Sequence, residues 1–355
     1  MGDWYAHDPM TALEAKEAAQ HLAFAPFAFQ AARSLRDLGV LAALDAAGAS
    51  GLHTDEVARQ CGISAYGAAV LLDMGLSARI ATESGGRYAL TRVGHYLLHD
   101  AMTRTNFDFS ADVCYRGLAN LTQSVREGRP AGLAEFGDWP TIYPHLAELP
   151  ERAHRSWFAF DHHYSDAAYA QALPYLFAQR PGRIVDIGAN TGRFALRCLR
   201  HDPQVRLTLV DLPQQLAVAR AQLAAHAERV DFHPVDVLDP TSALPMDGDV
   251  WWMSQFLDCF SSAQVVDILR RVGAAMPTGA TLCVLECFPD RQRFESAALS
   301  LNATSLYFTA LANGNSRFYR CSEFLPLVRA GGFAVQEQVD GIGLGHSLLV
   351  LRHHR

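Results

Sequence analysis

From Arg183 to the end of the chain, strand-like apolar runs alternate with helical patterns, and this rhythm restricts the fold more than any other feature. The first five runs are "RIVDI", "VRLTLVD", "VDFHPVD", "DVWWM" and "ATLCVLE". Segments such as "QQLAVARAQLAAHA" and "AQVVDILRRVGAAM" separate most of them. The alternation predicts an α/β fold with a parallel sheet covered on both faces. Two last runs, "FAVQEQV" and "HSLLVLR", predict a closing antiparallel hairpin and bring the total to seven strands.

The N-terminal third has a different organisation. "LRDLGVLAALDAAG" and "SAYGAAVLLDMGLSA" read as helices, and "HTDEVARQCG" reads as a third helix between them, with Thr54 as its N-cap. "IATESGGRYAL" predicts two short strands around Ser84, Gly85 and Gly86. Three helices followed by a hairpin is the order of a winged-helix domain. The first helix carries an apolar stripe of Leu35, Leu38, Leu41 and Leu44.

A second N-terminal feature is the Ala-rich segment from Thr11 to Ala32. Four large apolar residues are embedded in it: Leu22, Phe24, Phe27 and Phe29. A helical run this apolar is more typical of a dimer interface than of a solvated helix. We therefore expect a homodimer.

Composition narrows the class of protein. A chain of 355 residues favours two domains, and its net charge of −7 argues against nucleic acid or anionic membrane as a partner. Its seven cysteines are scattered without a CxxC pair, so we expect reduced core thiols and no metal site. The N-terminus lacks the pattern of a signal peptide, and no apolar run is long enough for a membrane span. The expected location is cytoplasmic.

The stretch "RIVDIGANTGRF" places a loop at the carboxyl end of the first strand, where open α/β sheets bind ligands. Gly188 and Gly192 would allow the backbone to approach a ligand closely. The next two strands end in "LVDLP" and "VDV". One edge of the sheet therefore carries Asp186, Asp211 and Asp236. Asp211 stands at the end of the second strand, where an acidic residue can accept hydrogen bonds from ribose hydroxyls.

These carboxylates indicate the class of ligand. A pyrophosphate would be repelled by them, whereas an adenosyl group bearing a sulfonium cation would not. The glycine spacing is D-x-G-x-x-x-G and differs from the dinucleotide pattern G-x-G-x-x-G. The spacing favours an adenosyl sulfonium ligand, with NAD and a purely structural turn as the alternatives.

The motifs "VDIGANTG", "VDLP", "VDV", "FLDCFSSAQVVDILRRV" and "LECFPD" follow one another in a familiar order. In this the chain resembles the S-adenosylmethionine-dependent small-molecule O-methyltransferases, of the plant caffeic acid type and of bacterial tailoring pathways. The resemblance covers nearly the whole chain. It implies a winged-helix dimerisation domain over 1–105, a helical linker lining the substrate pocket over 106–180, and a Rossmann-like S-adenosylmethionine-binding domain over 181–355.

The resemblance also implies a cofactor site. Gly188 would line the methionine part, Asp211 would hold the ribose, and Leu212 would pack near the adenine. Ala189 and Asn190 replace two family glycines, but asparagine tolerates left-handed backbone angles. The complete set implied for the cofactor is Asp186, Gly188, Asn190, Asp211, Leu212, Asp236, Val237, Ser254 and Ser165.

The family's catalytic histidine is replaced in this chain. "FLDCF" puts Asp258 at its position, and Glu286 in "LECFPD" matches the glutamate that orients it. A second supporting glutamate would fall at Phe318, where it is absent. A normal carboxylate, with a pKa near 4, is a poor base for a phenol with a pKa near 10. Pairing Asp258 with Glu286 in an apolar pocket would raise one of the two pKa values.

Other assignments of the base stay open. His162 or His163, in "SWFAFDHHYSD", could take the proton, and Asp258 could be only a helix N-terminal residue or cap. The residues implied for the acceptor pocket are Phe160, His162, His163, Tyr164 and Asn313. Flat aromatic surface suits an aromatic acceptor.

The functional prediction is O-methylation of a small hydroxylated aromatic metabolite by a homodimer. Ring C-methylation of a phenol is one alternative. A second is a family member that uses the cofactor in hydroxylation or decarboxylation without transferring methyl. A cofactor-sensing DNA-binding regulator is less favoured, because "SAYGAAVLLDMGLSAR", the segment at the position of a recognition helix, has a single Arg for contacting phosphates.

Overall fold

A computed structural model describes residues 5–354. The chain divides into two compact units, one ending at Asp112 and the other beginning at Val113. Within the described part of the chain, no helix has both the length and the hydropathy required to cross a bilayer.

The N-terminal unit consists of helices and one hairpin. Its helices are α1 (Ala12–Ala23), α2 (Ala25–Asp37), α3 (Val40–Ala47), α4 (Thr54–Cys61), α5 (Ala65–Ser77), α6 (Arg92–His99) and α7 (Ala101–Phe109). The strands β1 (Ala81–Ser84) and β2 (Arg87–Leu90) pair antiparallel, as predicted. Gly85 and Gly86 form the turn with φ of 60° and 77°, which glycine adopts without steric cost.

Two local predictions in this unit are wrong. The single helix expected over residues 35–48 is α2 followed by α3, because Gly39 turns the chain with φ of 79°. Leu38 is consequently 44% exposed, although the other three leucines of the stripe are buried. The N-cap of α4 is His53 and not Thr54, since the Glu56 carboxylate accepts the His53 N–H at 2.7 Å and the helix begins at Thr54.

The C-terminal unit contains the seven-stranded sheet. Its helices are α8 (Leu121–Glu127), α9 (Glu151–Phe177), α10 (Arg193–His201), α11 (Pro213–Gln222), α12 (Ser262–Ala275), α13 (Glu295–Tyr307) and α14 (Cys321–Ala330). Its strands are β3 (Arg183–Ile187), β4 (Arg206–Asp211), β5 (Val230–Pro234), β6 (Val250–Ser254), β7 (Thr281–Cys287), β8 (Phe333–Ile342) and β9 (His346–His353). The number of strands and the closing hairpin are confirmed.

The strand order is β5-β4-β3-β6-β7-β9-β8. The first five strands pair in parallel, and β9 runs antiparallel to both of its neighbours. The order reverses between β3 and β6, and ligands of open α/β sheets bind at such a switch point, beyond the carboxyl ends of the strands.

Both faces of the sheet are buried, which explains the nearly continuous apolar strand runs. Alternate residues enter two separate cores. Ile184 and Trp252 pack into the core that includes residues of α9 and α10. Val185 and Trp251 pack into the core that includes residues of α12 and α14. The sheet is therefore held rigidly, and the loops at its carboxyl edge start from fixed positions.

Candidate active site

The loop between β3 and α10 has the backbone geometry that its glycines permit. Gly188, Asn190 and Gly192 have φ of 76°, 48° and 80°, so Asn190 does adopt left-handed angles. The Gly188 N–H donates to the Val210 carbonyl at 2.9 Å. A Cβ at Gly188 would lie 2.3 Å from the Phe256 ring, so glycine is required there on steric grounds as well.

Asp211 holds this loop from the end of β4. Its carboxylate accepts the backbone N–H of Asn190 and that of Leu212, each at 2.7 Å. Burial raises the pKa of Asp211 to about 6, although the two hydrogen bonds oppose the shift. Each oxygen of a carboxylate can accept a further hydrogen bond, so Asp211 can still bind a hydroxyl.

Asp186 lies deeper, on β3. It is 2% exposed and pairs in register with Trp252 of β6. Within residues 5–354, neither its Oδ2 nor the Trp252 Nε1 has a hydrogen-bond partner. Burial, together with the Asp211 charge, raises the pKa of Asp186 to about 8. Unpaired buried polar atoms are costly, so this position suits a polar or cationic ligand.

The remaining residues of the implied cofactor set lie at the same edge. Asp236 is exposed and accepts the Leu238 N–H at 2.9 Å. Arg271 donates to the Val237 carbonyl and so fixes the segment after β5. On the other side of β3, Ser254 at the end of β6 and Ser165 on α9 both lie beside the Tyr169 hydroxyl.

The turn after β6 carries Asp258. The Glu286 Oε1 accepts the N–H groups of Phe256 and Leu257 at 3.1 and 2.9 Å, so Glu286 does support this turn. The Asn313 side-chain amide donates to the Cys259 carbonyl at 2.6 Å. Gln255, just before the turn, has φ of 47°, an unfavourable value for a residue with a side chain. The turn is thus held in place by surrounding contacts.

Asp258 and Glu286 form a buried carboxyl pair, 4% and 1% exposed. Burial raises the pKa of both, and the Asp258 charge raises the Glu286 pKa further. The pKa of Asp258 rises to about 7, with a contribution from the Asp161 charge, while a hydrogen bond from the Cys259 thiol opposes the rise. The Cys259 Sγ lies 3.5 Å from Asp258 Oδ1. Asp258 can therefore gain or lose a proton near neutral pH.

The alternative that Asp258 caps the following helix is wrong. The N-cap of α12 is Ser261, whose hydroxyl accepts the Gln264 N–H while the Gln264 side chain accepts the Ser261 N–H. Asp258 lies in a separate short turn, residues 257–259.

The two histidines on α9 differ in their surroundings. The His162 Nε2 lies 3.4 Å from the Thr191 hydroxyl, in the loop after β3. Burial and the charge of Arg193 lower the His162 pKa to about 4, so His162 is neutral at physiological pH. His163 packs its ring edge-on against Tyr164, with centroids 5.4 Å apart.

The other residues implied for the acceptor pocket lie on two elements. Phe160 and Tyr164 are half-buried on α9, with ring centroids 5.2 Å apart. Asn313 follows α13, and its Oδ1 accepts from the Ser316 hydroxyl at 2.8 Å while its amide binds the Cys259 carbonyl. This geometry favours a role for Asn313 in positioning the Asp258 turn.

The sequence analysis did not identify Asp161, which interacts both with the loop that Asp211 holds and with Asp258. Its carboxylate accepts the Asn190 side-chain amide at 3.0 Å. Its side chain is 27% exposed although protein surrounds it closely, and burial, with a contribution from Asp166, raises its pKa to about 7. The only signal in the sequence was its place in "SWFAFDHHYSD", next to the candidate bases His162 and His163.

Comparisons with known proteins identify the family. Residues 162–334 match the O-methyltransferase domain model, and residues 16–88 match the Dimerisation2-like domain model. The chain is 31% identical to O-demethylpuromycin-O-methyltransferase of Streptomyces alboniger, over 77% of this chain and 70% of that protein. It is 26% identical to 3-hydroxy-5-methyl-1-naphthoate 3-O-methyltransferase of Streptomyces sahachiroi, over 73% and 75%. The crystal structure of the S-adenosylmethionine-dependent methyltransferase SibL, in its apo form, superposes with a TM-score of 0.72 at 25% identity, over 95% of this chain and 99% of that one.

The chain therefore belongs to the S-adenosylmethionine-dependent O-methyltransferases, as its motifs indicated. It is an enzyme of that family with an N-terminal dimerisation domain.

Proposed function

We propose that this enzyme methylates a hydroxyl group of a small aromatic metabolite and that Asp258 is the base. The observation that carries the proposal is the buried pair of Asp258 and Glu286 at the carboxyl edge of the sheet. The pKa of Asp258, about 7, lies between that of an ordinary carboxyl group, about 4, and that of a phenol, about 10. The disadvantage of aspartate relative to histidine is thereby much reduced.

The residues at the carboxyl edge fit S-adenosylmethionine. Asp186 has an unpaired buried oxygen, and burial or neighbouring charges raise the pKa values of Asp161, Asp186 and Asp211. A ligand with a sulfonium and an ammonium group would relieve this excess of carboxyl groups. We assign Asp211 to the ribose hydroxyls and Asp186 and Gly188 to the methionine part. We assign Leu212, Asp236 and Val237 to the adenine. When bound, the cofactor supplies the methyl group.

The protein's part in the reaction is positioning and proton transfer. Asp258 would accept the proton of the acceptor hydroxyl at its carboxylate, and Glu286 would hold the turn that carries it. Phe160 and Tyr164 would hold the acceptor ring and exclude water. We do not assign His162 as the base, because its ring is directed to Thr191 in the loop between β3 and α10, residues 188–192, which we call the cofactor loop.

The relatives support an aromatic acceptor. One acts on a hydroxynaphthoate, by its name, and this chain offers the paired rings of Phe160 and Tyr164 on α9. The helix belongs to the segment over 106–180 that we propose as the substrate-lining linker. A ring stacked there would present its hydroxyl from an apolar slot.

We also infer a homodimer, assembled through α1 and the start of α2. No residue of α1 is buried in the single chain. The exposed apolar side chains there include Leu13 at 68%, Leu22 at 77%, Phe24 at 56% and Phe27 at 66%. Surface of this kind is rarely left open to water.

We also propose a cytoplasmic location, with which the seven cysteines, none of them in a disulfide, agree.

The dimer is tested with Leu22→Asp/Phe27→Asp, and Leu299→Asp, at a 63% exposed leucine of α13, is the control. We expect the double variant to sediment as a monomer or to aggregate, while the control keeps the mass of the wild type. A double variant with unchanged mass would contradict this interface.

The function is tested by incubating the enzyme with methyl-labelled S-adenosylmethionine and a panel of hydroxynaphthoates, catechols and phenazinols. We expect S-adenosylhomocysteine to form together with an O-methylated product, identified by mass spectrometry and by NMR of the methyl carbon. Label on a ring carbon would show C-methylation instead. Tight cofactor binding with no S-adenosylhomocysteine from any acceptor, and with a demethylated, decarboxylated or hydroxylated product, would overturn methyl transfer.

A further inference from the structure

We propose that Asp45, His95 and His99, in the N-terminal unit, bind one divalent transition-metal ion of the zinc, nickel and copper class. The three side chains come from α3 and α6 and meet on the surface. Neither the family assignment nor the proposed methyl transfer requires them.

The distances between the ligand atoms suit a single ion. The His99 Nε2 lies 2.8 Å from Asp45 Oδ2, and the His95 Nδ1 lies 3.5 Å from Asp45 Oδ1. One ligand atom from each residue falls within 4.8 Å of the other two. Zinc bonds of about 2.0–2.2 Å place neighbouring tetrahedral ligands roughly 3.3–3.6 Å apart. Small side-chain rotations would therefore complete the coordination.

The backbone around the site is fixed before any ion binds. His95 and His99 are four residues apart on α6, so they share one face of the helix. The helix packs tightly, because a Cβ at Gly94 would lie 2.5 Å from the Ile80 carbonyl oxygen. The Thr91 hydroxyl caps α6 at Gly94 and donates to the Ile80 carbonyl. Asp45 follows Leu44, which is buried in the core of this unit.

A simple ion pair explains the arrangement less well. Asp45 needs only one imidazolium as its partner, yet two imidazole rings lie 4.6 Å apart beside it. If both were protonated they would repel each other, whereas a metal ion uses both as neutral ligands. Imidazole with carboxylate favours zinc, nickel or copper over magnesium or calcium. Because the side chains of His95 and His99 are 59% and 48% exposed, water would complete the coordination sphere.

The test is a titration of tag-free full-length protein with Zn²⁺ by calorimetry and with Co²⁺ by absorption spectroscopy. We expect one ion per chain, without the intense band of thiolate-bound cobalt. His95→Gln/His99→Gln should weaken binding by more than about 100-fold, beyond the 10–100-fold typical of losing a supporting partner. His7→Gln/His354→Gln, which removes two exposed histidines elsewhere, should leave affinity and stoichiometry unchanged.

The outcomes separate clearly. Equal Zn²⁺ binding by the wild type and the His95/His99 variant, or no binding by either, would overturn the proposal. Thiolate bands in the Co²⁺ spectrum would place the metal at cysteine and would also overturn it. Each variant should keep the thermal midpoint of the wild type in the presence of a chelator, which shows that the fold is intact.

Discussion

Two groups of acidic side chains lie at the same edge of one sheet, yet their surroundings differ. Asp211, at the end of β4, receives a backbone N–H on each oxygen and remains partly open. Asp258, after β6, is almost sealed, lies near the charge of Asp161, and has a weak thiol donor. The pKa of Asp211 rises to about 6 and that of Asp258 to about 7.

The difference teaches how one residue type serves two purposes. The two backbone N–H donors favour the ionised form of Asp211 and oppose the rise in its pKa, which suits the binding of hydroxyl groups. Desolvation, with a smaller contribution from the Asp161 charge, brings the pKa of Asp258 close to physiological pH, which suits the transfer of a proton. Substitutions at the two positions should therefore affect different measured quantities.

The largest expected effect is at Asp258. Asp258→Asn keeps the shape of the side chain and removes its basicity, so kcat should fall by about 10²–10⁴, the usual contribution of general-base catalysis. Binding of S-adenosylmethionine should change little. The control is Asp267→Asn, on the exposed face of α12, which should be neutral.

Asp258→His sharpens the same point. It restores the family's usual base, and we expect it to retain turnover on simple catechols. If Asp258→Asn and Asp258→His both behave like the wild type from about pH 6 to 9, the range over which a tuned base titrates, Asp258 is not the base. His162 and His163 would then be tested next.

The second effect is on cofactor affinity. Asp211→Ala removes an acceptor and also releases the Asn190 and Leu212 amides, so binding of S-adenosylmethionine should weaken by about 1.5–3 kcal/mol. Calorimetry measures the loss directly. Asp236→Ala, at an exposed position of the same edge, should cost less. A folded Asp211→Ala protein with unchanged affinity would contradict the cofactor assignment.

The third effect is on pH dependence. Asp258 acts as a base only when ionised, so kcat/KM should rise with pH through about 7. Asp161→Asn removes a charge that raises the Asp258 pKa, so the rise of kcat/KM should move to lower pH. The move should be less than about one pH unit, because a charge that does not contact Asp258 affects its pKa less than a charge in direct contact. Glu151→Gln, at the exposed start of α9, is the control. A profile that does not move in Asp161→Asn would remove Asp161 from the proton-transfer site.

The sequence predicted the sheet well because both of its faces are buried, and that leaves long apolar runs with aspartates at their ends. It predicted Glu286 beside the Asp258 turn through the family motifs alone. It could not predict Asp161, whose role depends on how α9 lies against the cofactor loop, or the engagement of Asn313 with the Cys259 carbonyl. The break at Gly39 was missed because the apolar period continues across it. Contacts between distant segments leave no local pattern.

The smallest effect compares backbone strain in the two regions. Each contains one non-glycine residue with left-handed angles, Asn190 in the cofactor loop and Gln255 before the Asp258 turn. Such angles cost most side chains about 1–2 kcal/mol, and asparagine less, whereas glycine costs about 0.5–1 kcal/mol in chain entropy. Gln255→Gly should therefore raise the free energy of unfolding by up to about 1 kcal/mol, and Asn190→Gly should change it by less. Urea denaturation of both variants measures the difference. If kcat falls in the more stable Gln255→Gly protein while cofactor affinity is kept, the strain at Gln255 positions Asp258; equal stability changes at the two sites would show that the regions do not differ in strain.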